Sequence, residues 1–176
     1  MMNKHFPKPQ NQRKDIYILR DQLLGDIEVQ LQIVAESRVG ENGLPLPILD
    51  NALSRFGAQF VRFIDKYIDL AKARMAAYLV TPHVNGEMNA HREWREQKIS
   101  LSFPWYWNAT TFPQLCDAIH DYIVNGALYE FFLLTLTSKD AVTADKQVLM
   151  LDAYSMIKHC CVSSLPGTQR KTLQPF

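Results

Sequence analysis

The sequence predicts a mainly α fold, in which about four principal helices form a bundle-like single domain. Apolar residues recur at steps of three and four over most of the chain, as they do on the buried face of a helix. The stretches between these patterns are short or rich in Gly and Pro, which favours close packing of successive helices. A chain of 176 residues, with 47% hydrophobic and 21% charged residues, is large enough to bury one core of this kind.

The N-terminal part of the chain is predicted to contain an arm followed by the first helix. Residues 1–14 include four basic residues, two prolines and no acidic residue, a composition that predicts a flexible basic arm. Between residues 15 and 37 apolar side chains return at helical spacing, which predicts the first helix. We expect a helical domain over residues 15–165 and a C-terminal tail over residues 166–176.

A second helix, over residues 47–77, is predicted to follow a loop. Gly40, Gly43 and Pro45 supply backbone angles that a helix interior rejects, so the loop precedes this helix. Beyond the loop one continuous stripe of apolar side chains predicts the helix. The stripe consists of Leu49, Leu53, Phe56, Phe60, Phe63, Tyr67, Ala71, Met75 and Tyr78.

The segment between the second and third helices is the least regular part of the sequence. Residues 98–103 alternate polar and apolar side chains, as a half-buried strand does. The dipeptide Asn85-Gly86 is a turn signal that could join this strand to an earlier one. We therefore expect an irregular or small β-hairpin insert between helices 2 and 3.

The last two helices are predicted over residues 112–137 and 140–162. Thr111 and Gln114 fit a capping box at the start of the third helix. Only a short polar break separates the two helices, so we expect them to pack antiparallel. Asp140 or Ser138 is expected to cap the fourth helix.

The composition argues against several classes of partner. A formal net charge of +1 gives no basic field for nucleic-acid binding. The sequence has no apolar run of the roughly 18–20 residues that span a membrane, and its N-terminal residues lack the apolar core of a secretory signal. We therefore expect a cytoplasmic or otherwise intracellular protein with no nucleic-acid or membrane partner. Its three cysteines are expected to be reduced.

Cys and His residues on the last two helices are the candidates for metal binding. Cys116 and His120 lie one helical turn apart, and His159 and Cys160 lie near the end of the fourth helix. Because their spacing matches no zinc motif, we expect buried structural thiols and no metal or other cofactor. A metal- or thiol-dependent enzyme that uses these residues, with Cys161, is the alternative function.

Paired carboxylates are another common catalytic device. Asp65 and Asp69 lie one helical turn apart, as do Asp117 and Asp121. Basic residues flank the first pair, which favours a solvated, ion-paired helix face. Since no catalytic motif accompanies either pair, we predict no catalytic residue.

The most distinctive local feature is the aromatic run at residues 103–107. Trp105, Tyr106 and Trp107 are predicted to be interaction residues, because interfaces favour large amphipathic rings. The alternative is that the same rings seal one end of the bundle. Phe176 in the C-terminal tail is a further candidate, since it could dock in a groove of the same chain or of a neighbouring subunit.

These observations predict a non-enzymatic interaction or assembly protein, which works as a subunit of a homo-oligomer or of a larger particle. Small helical subunits of viral and prophage portals and necks have this general composition, so a virion structural role is one form of the hypothesis. A ligand-binding helical regulator, with a pocket near residues 105–107, is a further alternative to the enzyme.

Overall fold

The architecture is that of a computed structural model, in which the described residues are 10–38, 49, 51–80, 95–136 and 139–164. Within these ranges the chain forms strand β1 (Gln12–Leu19), helix α1 (Arg20–Ser37), helix α2 (Ala52–Arg74), strand β2 (Glu96–Phe103), helix α3 (Phe112–Thr135) and helix α4 (Ala141–Val162). Short 3-10 turns occupy Ala76–Tyr78 and Ala109–Thr111. The predicted mainly α fold with four principal helices is confirmed.

Strands β1 and β2 form a two-stranded antiparallel sheet. Gln12 lies opposite Phe103 at one end of the register, and Leu19 lies opposite Glu96 at the other. Strand β2 confirms the strand predicted within the insert between helices 2 and 3. Its partner in the sheet is the segment before α1, whereas the dipeptide Asn85-Gly86 lies outside the described residues.

The N-terminal boundary predicted from the sequence is wrong. Residues 12–14, which were expected in the flexible arm, and residues 15–19, which were expected in the first helix, together form β1. Ile16 and Ile18 point inward and are buried, while Asp15, Tyr17 and Leu19 point outward. Because side chains alternate between the two faces of a strand, both isoleucines are buried against the core. Pairing with β2 provides partners for the backbone N–H and C=O groups of β1. Residues 1–9 and 165–176 lie outside the described residues.

The boundaries of the other three helices lie within five residues of those predicted from the sequence. Helix α2 begins five residues later than predicted and ends at Arg74, and non-helical angles at Phe56 (φ −119°, ψ 16°) introduce a kink near its start. Helices α3 and α4 begin and end within two residues of the predicted positions.

Polar side chains fix the ends of the helices. Asp140 caps α4, as predicted, by accepting a backbone N–H from the first turn at 2.9 Å. The same carboxylate makes a bidentate ion pair with Arg38 at the C-terminal end of α1, which ties the two helix ends together. The capping box predicted at Thr111 is wrong, because its hydroxyl donates to the carbonyl of Asn108 at 2.7 Å. Asn108 caps the 3-10 turn that precedes α3.

Helix α3 forms the centre of the hydrophobic core and packs against α1, α2 and α4. Phe60 of α2 and Phe131 of α3 are buried with ring centroids 4.8 Å apart. Nearby, α2 and α3 approach so closely that a Cβ on Gly126 would lie 2.3 Å from the ring of Tyr67. A glycine is therefore needed at this crossing, because any larger residue would overlap the buried ring.

Candidate functional site

Helix α4 has one face in the core and one face toward solvent. Ala153, Ile157 and Cys160 are buried against the rest of the bundle. Large apolar side chains that are about half exposed flank this buried face and continue onto the outward side of the helix. We call four of them the α4 outer patch: Val148, Leu149, Leu151 and Met156.

The α4 outer patch is centred on a turn that is apolar around its whole circumference. Residues 148–151 read Val-Leu-Met-Leu, so their side chains point in every direction around the helix axis. Met150 packs against the core, while Val148, Leu149 and Leu151 remain about half exposed. A helical turn that is apolar all round is typical of a buried helix. The outward half of this turn is therefore a candidate contact surface.

Charged residues frame the α4 outer patch. Asp145 is exposed one turn before Val148, and Lys158 and His159 are exposed after Met156. The solvent-facing side of α4 thus has an acidic residue toward its N-terminal end, the exposed Asp152 within the patch, and basic residues toward its C-terminal end.

Large exposed apolar residues occur singly or in pairs on the other described elements. Examples are Val29 with Ile33 on α1 and Leu133 with Leu134 on α3. Scattered residues of this kind are normal on a protein surface, whereas four of them within nine residues of one helix are not. This clustering identifies α4 as the strongest candidate contact element in the described part of the chain.

The structure separates the residues of the aromatic run. Trp107 is only 1% exposed, stacks on Phe103 with ring centroids 3.9 Å apart, and donates its indole N–H to the carbonyl of Cys160 at 2.8 Å. Trp107 is therefore a core residue and not a surface contact. Trp105 is 49% exposed and meets Tyr106, which is half-buried, edge to face. Their role in an interface stays a prediction, and Phe176 lies outside the described residues.

The predicted metal candidates lie on α3 and α4. His120 contacts Asp26 of α1, with 2.7 Å between its Nε2 atom and the carboxylate. His159 is exposed, whereas Cys160 is buried beneath the indole of Trp107. Among the residues described, no group of three or more His, Cys, Asp and Glu side chains is placed to hold a metal ion. This geometry offers no support for metal chemistry at these residues.

The cysteines lie in apolar surroundings that keep their thiols protonated. Burial raises the pKa of Cys116 and of Cys160, and it raises the pKa of Cys161 to about 11. A nucleophilic cysteine requires the opposite shift, since the thiolate is the reactive form. The thiol-dependent alternative therefore lacks an activated nucleophile at these three positions.

The two carboxylate pairs also differ from a catalytic arrangement. Asp69 is exposed and pairs with Lys72 at 3.7 Å, as expected for a solvated helix face. Asp117 and Asp121 line a shallow groove of about 450 Å³ between α3 and α4, together with Asp152. Burial raises the pKa of Asp121, but no basic or nucleophilic side chain lines the groove with these acids. We assign no reaction to either pair.

The α4 outer patch was not predicted from the sequence. The available signal was the run of four consecutive apolar residues at 148–151 inside a predicted helix. Such a run predicts an all-round apolar turn, but which side faces the core depends on how α4 is rotated against α3. That rotation is a property of the folded bundle.

No helix among the described residues combines the length and apolar character needed to cross a membrane. The chain matches no protein family model, no curated protein and no solved structure.

Proposed function

We propose that this protein is a non-enzymatic assembly subunit that self-associates through the α4 outer patch. The occupant of the patch is the same surface of a second copy of the chain. The observation that carries this proposal is the exposure of Val148, Leu149 and Leu151 on a turn that is apolar in every direction. When this turn of one copy packs against the same turn of a second copy, the apolar side chains of both turns are removed from water in a single contact.

Charge complementarity favours an antiparallel pairing of the two α4 helices. A twofold axis through the patch brings the Asp145 end of one helix near the Lys158 end of the other. The same axis repeats this favourable arrangement on the opposite side of the contact. It also brings the exposed Asp152 of the two copies near each other, and this like-charge contact offsets part of the gain. A parallel pairing would instead place like charges together at both ends.

The energetics predict a reversible dimer. Complete burial of a Val, Leu or Met side chain contributes about 1.5–3 kcal/mol. Because the four side chains of the patch are already about half buried, covering each contributes about 1 kcal/mol, and a symmetric pair gains about 8 kcal/mol. Association itself costs about 4–15 kcal/mol. Against the lowest of these costs the gain leaves about 4 kcal/mol, which corresponds to a Kd of about 1 mM and predicts weak, concentration-dependent self-association in place of an obligate dimer.

Val148→Lys is the substitution that tests the patch most directly. It removes about 1 kcal/mol of apolar burial from each copy, or about 2 kcal/mol per dimer, which corresponds to about a 30-fold loss in affinity. Val29→Lys on α1 is the matched control, because Val29 is 54% exposed and Val148 is 57% exposed. Sedimentation velocity over a concentration series measures both variants against the wild-type chain.

The expected result is weaker self-association for Val148→Lys and wild-type behaviour for Val29→Lys. Equal self-association of the wild-type chain and both variants would show that the α4 outer patch is not the contact. Circular dichroism of each variant verifies that the helices are retained.

A charge exchange tests the antiparallel orientation separately. Asp145→Lys alone should weaken self-association severalfold, because it places positive charges near Lys158 of the second copy. Adding Lys158→Asp to the same chain should restore the affinity. A double variant that associates more weakly than either single variant would argue against this orientation.

A further inference from the structure

A cavity of about 420 Å³ opens where the C-terminal end of α2 meets α3 and α4. Its volume falls in the range of small-molecule sites, which is about 300–1,000 Å³. None of its polar side chains was singled out by the sequence analysis. The lining residues are Leu70, Ala73, Arg74, Tyr122, Met150, Leu151 and Tyr154.

Arg74 brings to this cavity a positive charge that no described carboxylate pairs with. Its guanidinium lies over the ring of Tyr154, with 4.1 Å between the guanidinium carbon and the ring centroid. The Nε atom of Arg74 is buried and has no hydrogen-bond partner, and no carboxylate in the described ranges pairs with the side chain. An arginine stays ionised under all physiological conditions, so a buried, unpaired donor on it is costly. An anion in the cavity would supply the counter-charge that Arg74 lacks among the described residues.

Two other basic residues of α2 have polar side-chain partners among the described residues, in contrast to Arg74. Lys66 pairs with Glu130, and Lys72 contacts both Asp69 and Gln97. Arg74, about two helical turns beyond Lys66, instead lines the cavity. The contrast shows that the missing partner of Arg74 is not a general feature of the helix.

Two phenol groups add donors to the same site. Neither Tyr122 nor Tyr154 makes a side-chain hydrogen bond to another described residue, and their rings lie 5.4 Å apart at the wall of the cavity. Burial raises the pKa of Tyr122, and the nearby charge of Arg74 only partly opposes this shift. The Tyr122 hydroxyl can therefore donate to an anion at neutral pH, and the Tyr154 hydroxyl is a second donor at the same wall.

The rest of the wall is apolar. Leu70 and Leu151 are about half exposed at the rim, and Met150 lies deeper, half-buried against the core. An apolar wall with one cation and two hydroxyl donors selects a ligand that carries both characters. We propose that this cavity binds a small amphipathic carboxylic acid, with its carboxylate on Arg74 and its apolar body against Leu70 and Leu151.

This inference does not depend on self-association. The cavity shares Leu151 with the α4 outer patch, but its anion-binding residues, Arg74, Tyr122 and Tyr154, lie outside that patch. Binding is therefore measured at protein concentrations where the wild-type chain is monomeric, and the result does not decide the proposed function.

Displacement of a fluorescent probe from the full chain tests the proposal. The probe is 8-anilinonaphthalene-1-sulfonate, an aromatic anion whose fluorescence rises in apolar sites, and the competitors are octanoate and octan-1-ol. We expect octanoate to displace the probe at a concentration at least tenfold lower than octan-1-ol, because only octanoate carries the negative charge. Equal displacement by the two competitors, or no displacement by octanoate, would overturn the proposal. This comparison needs no variant.

Arg74→Gln identifies the cation responsible. The variant should bind octanoate at least tenfold more weakly, while its binding of octan-1-ol stays within twofold of that of the wild-type chain. Arg62→Gln, an exposed position on the same helix, is the matched control and should leave both affinities unchanged. An unchanged affinity of Arg74→Gln for octanoate, in a variant with the circular dichroism of the wild-type chain, would contradict the assignment.

Discussion

Replacing Gly126 with alanine tests the closest approach in the helical core. A Cβ at this position would lie 2.3, 2.4 and 2.6 Å from three ring atoms of Tyr67, more than 1 Å inside the normal carbon–carbon contact distance of about 3.5–4.0 Å. The ring is buried and cannot move freely, because it meets Tyr122 edge-on with centroids 5.2 Å apart. Its hydroxyl also donates to Glu130 at 3.3 Å. The substitution must therefore displace a held side chain.

The magnitude follows from two opposing effects. Overpacking a core costs about 1–3 kcal/mol, occasionally more. Exchanging glycine for alanine inside a helix gains about 1 kcal/mol. Because the overlap with Tyr67 is large, we expect Gly126→Ala to lower the free energy of unfolding by about 2 kcal/mol net, which corresponds to a decrease in Tm of about 4–8 °C.

Gly25→Ala is the matched control for this prediction. Gly25 lies within α1, and a Cβ there would meet nothing within 4 Å. The same exchange should therefore keep only the favourable effect and raise the free energy of unfolding by up to about 1 kcal/mol. Urea denaturation followed by circular dichroism measures both variants. If Gly126→Ala proved as stable as Gly25→Ala, the described packing of α2 on α3 would be refuted.

Three further predictions concern buried and paired polar groups. Trp107→Phe should lower the free energy of unfolding by about 1–3 kcal/mol, because the buried carbonyl of Cys160 loses its hydrogen-bond donor. Urea denaturation measures this change, and an unchanged midpoint would contradict the prediction. The ion pair with Arg38 holds the pKa of Asp140 below its usual 3.8, so the ion pair stabilises the fold above about pH 4 and this stabilisation is lost as the pH falls through the lowered pKa. In Asp140→Asn, thermal melts over a pH series should no longer show this part of the decrease in Tm at acid pH. Lys146→Met should raise the free energy of unfolding by about 1 kcal/mol at pH 7, since burial lowers the pKa of Lys146 and the charged amine therefore destabilises the folded state. This destabilisation decreases as the pH rises above the lowered pKa, so the difference in free energy between the variant and the wild-type chain should become smaller at alkaline pH. A difference that stays constant with pH in denaturation experiments would argue against burial of the charge as the cause.

The helices could be predicted from the sequence because their signals are local. Helix α4 illustrates this point: Asp140 is a good cap, and the apolar positions that follow determine which residues pack inward. Strand β1 could not be predicted in the same way. Ile16 and Ile18 fit a strand, but Ile16, Leu19 and Leu23 also fit a helical stripe, and the choice depends on a partner strand more than 70 residues away.

The candidate sites required the folded structure for a related reason. Trp105 and Trp107 are neighbours of the same type in the sequence, yet only Trp107 finds a stacking partner and an acceptor in the core. The cavity at Arg74 needs side chains from three helices, so its composition depends on the rotation of each helix about its axis. Sequence periodicity identifies the buried stripe of one helix, but not which residues of different helices meet at a surface.

Sedimentation equilibrium of the wild-type chain tests the central claim of self-association through α4 most directly. Over a range of about 10 µM to 1 mM, we expect the weight-average mass to rise from the monomer value of 20.3 kDa toward twice that value. A mass that stays at the monomer value over the whole range would contradict the assignment of the α4 outer patch as a contact between copies of this chain.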